Sequence, residues 1–115
     1  MRITFVLDYF TPHIGGAETL FDNITSGLAE KGFEISVVTQ KVAGSKRVEN
    51  NHGRLIRRVS PDLRHLFPFT SFAVAREEIG KSDIAHFATL GGLGTGMLLK
   101  GMMKKPVVAT FFEVW

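Results

Sequence analysis

The run from Met1 to Gln40 sets the strongest limit on what this chain can become. Arg2-Ile3-Thr4-Phe5-Val6-Leu7 is a short apolar segment rich in β-formers, as expected of a strand covered on both faces. Ala17, Leu20, Phe21, Ile24 and Leu28 then recur at helical spacing, with Glu18, Asp22, Thr25 and Glu30 on other faces. Gly32 stops that helix, and Phe33-Glu34-Ile35-Ser36-Val37-Val38-Thr39 reads as a second strand. Strand, helix, strand is a βαβ unit, which joins parallel strands by a right-handed crossover.

The connection between the first strand and the helix carries the most specific chemistry. It runs Phe10-Thr11-Pro12-His13-Ile14-Gly15-Gly16-Ala17-Glu18. Pro12 fixes a turn, and Gly15 and Gly16 allow backbone conformations or approach distances closed to other residues. The glycines stand where a helix begins, and unpaired N–H groups and the positive end of the helix dipole attract an anion there. A phosphate or carboxylate held at Gly15 and Gly16 is one reading. A tight turn that lets the helix pack closely on the sheet is the other, and the glycine pair alone leaves both open.

Downstream, Gln40 to Asn51 is polar and is expected to form a mobile surface loop. Leu55-Ile56-Arg57-Arg58-Val59 predicts a third strand at an edge of the sheet. Leu63 to Pro68 reads as a connector, and Phe69 to Ile79 as a helix closed by Gly80. Ile84-Ala85-His86-Phe87 predicts a fourth strand. Gly91-Gly92-Leu93-Gly94-Thr95-Gly96 then reads as a second glycine-rich loop opening a helix, and Val107 to Phe112 as a fifth strand. This alternation is α/β: a Rossmann-like, doubly wound parallel sheet with helices on both faces. Numbered along the chain, its strands are expected in the order of about 3-2-1-4-5, with both glycine loops opening into one crevice at the switch point between strands 1 and 4.

At 115 residues the chain has room for one domain, 1–115. Its 44% hydrophobic and 22% charged residues describe a globular and not a disordered chain. A net charge of +3 is compatible with anionic ligands or an acidic membrane surface but too small to indicate nucleic acid. With no cysteine, disulfides and thiolate metal sites are excluded, and no metal pattern is present. No apolar run reaches the roughly 20 residues that cross a bilayer, so a cytoplasmic domain is expected. A final strand running into Phe111-Phe112-Glu113-Val114-Trp115 leaves apolar surface uncovered, as in a fragment of a longer protein.

Common nucleotide motifs fail on these loops. The first lacks G-x-G-x-x-G, and the second strand ends in Thr39-Gln40 without the acidic residue of a dinucleotide site. The second loop has no Lys-Ser/Thr after it, so it is not a P-loop. Asp8 alone does not make the acidic cluster of a receiver domain.

The segment from Asp8 to Glu18, followed by Leu28-Ala29-Glu30-Lys31-Gly32-Phe33-Glu34-Ile35-Ser36-Val37-Val38-Thr39, resembles the start of a GT-B fold, family 4, retaining glycosyltransferase. Such chains open with a strand, a P-x-x-G-G loop, a helix ending L-A-x-x-G-H-x-V and a strand ending in Thr. Asp83-Ile84-Ala85-His86 is similar to the family's D-V-V-H strand, and Lys105-Pro106-Val107-Val108-Ala109-Thr110 to its K-P-V-V-x-T strand. The resemblance implies the acceptor-side half of a two-domain enzyme that moves a sugar from a nucleotide-diphosphate sugar to a sugar or lipid-linked acceptor. It further implies that Gly15 and Gly16 meet the donor diphosphate, that no cofactor or metal is needed, and that a separate C-terminal donor-binding domain completes the site. The paired-glutamate E-x-x-x-x-x-x-x-E motif of that domain is missing from these residues, so they are expected to be inactive alone. The alternative is a stand-alone, non-catalytic nucleotide- or anion-binding module, or one subunit of a split enzyme.

The family's H-x-H and T-x-H patterns are broken here by Ala88 and Phe112. His86 is the catalytic candidate that remains, against a buried structural histidine. His13 and Glu113 are candidates for acceptor contact, against a solvent-exposed loop histidine and a chain-end carboxylate. Arg54, Arg57, Arg58 and Arg64 gather in sequence with His65, Phe67 and Phe69. That grouping reads either as peripheral contact with an anionic membrane or as a strand edge guarded by arginines.

Overall fold

The apolar N-terminal run divides its side chains between two cores. In the computed structural model, which describes residues 1–7, 16–42, 44–60, 67–99 and 106–110, this run is strand β1 (Arg2–Val6). Ile3, Phe5 and Leu7 pack with Phe21, Ile35, Val37, Ile56 and Ala88 on one face of the sheet. Val6 packs with Val38, Phe67, Ala75, Phe87 and Leu99 on the other. Period-2 alternation between two apolar layers is why the segment reads as a continuous hydrophobic run.

Around β1 stand β2 (Glu34–Gln40), β3 (Val48–Asn51), β4 (Arg54–Val59), β5 (Ile84–Ala88) and β6 (Val107–Thr110), in the order β3-β4-β2-β1-β5-β6. All pairings are parallel except β3 with β4. Helix α1 (Gly16–Glu30) covers one face, while α2 (Phe67–Thr70), α3 (Phe72–Gly80) and α4 (Thr89–Leu99) lie on the other. The five expected strands take their expected order, and the switch point falls between β1 and β5.

Three expectations need correction. The polar stretch before the third expected strand is not wholly loop, because Val48–Asn51 forms β3 and pairs antiparallel with β4. The hairpin closes through His52 and Gly53 at φ of 52° and 80°, the two positive values of a type I′ turn. The third expected strand is therefore β4, one position in from the edge. The single helix expected over Phe69 to Ile79 is two, with Ser71 between α2 and α3.

The third correction concerns Gly91 to Gly96, which lie inside α4 and not in a loop. Helical glycine costs roughly 1 kcal/mol relative to alanine, so contact must offset it. A Cβ on Gly92 would fall 2.2 Å from the Val6 carbonyl oxygen, and one on Gly96 would sit 3.0 Å from the Phe87 ring. The glycines are spaces into which β1 and β5 fit.

Beneath α3 the sheet carries a buried polar cluster. Thr4 Oγ1 is hydrogen-bonded to Ser36 Oγ (2.7 Å) and to Ser82 Oγ, and Ser82 Oγ donates to the Glu78 carbonyl at 2.9 Å. The Glu78 carboxylate, only 1% exposed, accepts from Arg2 Nη2 and Arg57 Nη1, each at 2.9 Å. One carboxylate thus ties α3 to β1 and β4. Charge-assisted bonds of this kind are stronger than neutral ones.

Two stability measurements check this packing. Gly92→Ala should lower the free energy of unfolding by about 1–3 kcal/mol through overpacking. Gly27→Ala, in α1 with nothing within 4 Å of the new Cβ, should raise it by about 0.5–1 kcal/mol. Equal effects in denaturant titration would contradict the close approach of α4 to β1. Glu78→Gln should cost about 2–3 kcal/mol, discounted because Arg2 and Arg57 keep about a quarter of their side chains in solvent. Glu77→Gln, at an exposed carboxylate, should leave the unfolding midpoint near that of the unaltered chain.

Candidate functional site

The carboxyl ends of β1 and β5 meet at the switch point, and each is followed by a helix. Helix α1 begins at Gly16, while α4 begins at Thr89 directly after β5 ends at Ala88. Two helix N-termini, each with amides that have no partner within the helix, therefore belong to adjacent strands. Gly92 brings α4 against Val6 and Leu7 at the end of β1, which makes α4 a close wall of this edge.

Of the residues singled out in the sequence, Gly16 is the first residue of α1. Gly15, His13 and Glu113 lie outside the described residues, as does Phe112. His86 is in β5 and pairs in register with Phe5 of β1. Its ring stacks on Phe5 with centroids 4.9 Å apart and meets Phe21 of α1 edge-on at 5.6 Å. His86 is thus an aromatic member of the layer between sheet and α1, one strand from the helix that Gly16 opens. Burial disfavours the charged ring and holds the imidazole below its ordinary pKa of 6.5. Ala88, two residues on and on the same face, is fully buried in the α1-side core.

The arginines do not share one surface. Arg54 is buried and reaches Asp22 and Thr25 of α1. Arg58 is buried against Glu49 of β3, and this hydrogen bond holds the Glu49 carboxyl below its usual range. Arg57 points to the opposite face, where its hydrogen bond to Glu78 raises the guanidinium pKa. Phe67 is buried and Phe69 exposed; Arg64 and His65 lie outside the described residues. Alternation along β4 separates these neighbours in sequence, and their acidic partners come from three other elements. Pairing over such separations is not visible from spacing.

Among the described residues, no three His, Cys, Asp or Glu side chains gather as a metal site. None of the described helices is long and apolar enough to cross a membrane. The switch point thus sets two helix N-termini after adjacent strands, with the half-buried His86 ring in the layer between the sheet and α1.

Residues 14–115 match the model of Glycosyltransferase Family 4. The chain belongs to that family. No curated protein matches the sequence. Among solved structures the family member is similar to sucrose-phosphate synthase from Thermosynechococcus elongatus, at 16% identity and a TM-score of 0.76. That match covers 97% of this chain and 33% of the synthase. A second structure of the synthase matches at 13% identity and a TM-score of 0.71, over 98% of this chain and 64% of that one. At these identities the likeness concerns fold, and the fold is the Rossmann-like α/β architecture of GT-B proteins. The chain spans less than two thirds of either synthase structure.

The His86 environment has a measurable consequence. The unfolded chain binds a proton at this residue more readily than the folded one, so the stability contributed by neutral His86 is present above the ordinary pKa. It is lost as pH falls through that value toward the folded one. An NMR titration should place the His86 midpoint below the usual imidazole range. His86→Phe should make the fall in stability between about pH 7 and pH 5 shallower. A His86 midpoint at or above the ordinary value would contradict the half-buried, stacked ring.

Proposed function

We propose that this chain is the N-terminal, acceptor-side part of a glycosyltransferase that moves a sugar from a nucleotide-diphosphate sugar to a sugar or lipid-linked acceptor. The observation that carries the reading is Gly16 as the first residue of α1, the helix that follows β1 along the chain, with β1 at the switch point; Gly15 precedes it in the sequence. Glycine amides there can approach a diphosphate closely, and the helix dipole favours its charge. In the reaction the acceptor oxygen replaces the diphosphate oxygen at the anomeric carbon, and the acceptor proton goes to the departing diphosphate. Negative charge grows on the leaving group, so preorganised N–H donors lower the barrier.

In this reading the donor's nucleotide and sugar are held mainly by a second, C-terminal domain, and residues 1–115 alone do not catalyse transfer. His13 and Glu113 are the acceptor-contact candidates. His86 serves by packing Phe21 of α1 against Phe5 of β1, which makes it a positioning residue. No metal or cofactor is required of these residues. The enzyme would work in the cytoplasm and touch a membrane peripherally where its acceptor is lipid-linked.

In the complete enzyme, Gly16→Val should reduce kcat/KM for the donor at least tenfold, with an unchanged unfolding midpoint. Unchanged donor affinity and turnover in a folded variant would remove the glycine pair from the donor site. Residues 1–115 alone should show no transfer. Nucleoside diphosphate binding to them as tight as to the complete protein would favour a stand-alone binding module.

A further inference from the structure

A concavity lies away from α1, between the β3–β4 hairpin and the α2–α3 pair. It encloses about 280 Å³ and is lined by Arg47, Arg57, Arg58 and Ser60 with Val48, Val59, Thr70 and Val74. Ligand pockets start at roughly 300 Å³, so this one suits a small molecule. Its position follows from topology. Val59 ends β4 at the carboxyl edge of the sheet, and β2 separates β4 from β1.

The charge around the cleft is unbalanced. Among the described residues its lining holds Arg47, Arg57 and Arg58 and no carboxylate, with the Arg58 guanidinium turned to the other face of the sheet. Arg58 is held by Glu49, and Arg57 by Glu77 and Glu78. Those two glutamates also serve Lys81 and Arg2. Among the described residues no carboxylate pairs with Arg47, whose Nη2 donates to Ser60 Oγ at 2.9 Å. Arg57 is anchored through Nη1, which fixes the plane of its guanidinium in advance. An anchored arginine, an arginine with no carboxylate partner among the described residues and a hydroxyl beside aliphatic side chains make a receptor for an oxyanion on a short carbon body.

We propose that this cleft binds a small organic phosphate or carboxylate. The oxyanion is received by Arg47, Ser60 and Arg57, and the carbon portion rests on Val48, Val59 and Val74. The site is separate from the start of α1 and does not depend on the transferase reading.

The test is calorimetric or NMR titration of the complete protein with isobutyl phosphate, isovalerate and inorganic phosphate, across a series of chloride concentrations. Saturable binding is expected for at least one of the two organic anions, tighter than for inorganic phosphate and weakening as chloride rises. Arg47→Gln should weaken it at least tenfold with no change in unfolding midpoint, since Arg47 is exposed. Lys31→Gln, which removes an exposed charge beyond the far end of α1, should leave it unchanged. No saturable binding, or equal affinity in Arg47→Gln and the unaltered protein, would overturn the proposal. Loss of binding in Gly16→Val but not in Arg47→Gln would also overturn it, by placing the anion at α1 instead.

Discussion

Burial of β1 on both faces is the condition on which the rest of the structure depends. Its odd-numbered side chains fasten α1 through Phe21, and its even-numbered ones meet the α3 and α4 side. Fully burying one apolar side chain contributes about 1.5–3 kcal/mol, so a strand that buries Ile3, Phe5 and Val6 sets the layer order by itself. Both β2 and β5 take their register from this strand, Phe5 facing Val37 on one side and His86 on the other. The switch point exists because β1 has parallel neighbours from both halves of the chain.

Much of this architecture was legible in the sequence because it rests on local signals. Apolar runs, Gly32 as a stop and helical spacing from Ala17 to Leu28 locate β1, α1 and β2. The glycine run from 91 to 96 was misleading for a physical reason. Glycine signals a loop by its conformational freedom, but here its value is the missing Cβ, and what fills that space is Val6 and Phe87, distant in sequence. The β3 strand was hidden by its polarity: Val-Glu-Asn-Asn has little apolar alternation. The one available signal was glycine after His52, two residues that suffice to turn a hairpin.

The candidate site was legible to a similar depth. The glycine pair in the sequence marks the start of a helix, Gly16 begins α1, and α1 and α4 both follow strands that flank the switch point. The sequence marks His86 as a candidate, but its stacking on Phe5 depends on strand register and its contact with Phe21 on helix docking. Neither can be read from spacing. The arginines are neighbours in sequence, whereas the fold distributes them to Asp22, Glu49 and Glu78 on separate elements.

The glycine content of α4 bears on the order in which the molecule assembles. An isolated helix of 11 residues with glycine at four of them has little tendency to form in water. Its conformation is therefore conditional on the strands it leans against. One wall of the switch-point edge cannot precede the sheet during folding, and it loosens when the sheet does. The shape of that edge is tied to the same cooperative transition that holds β1 between its neighbours.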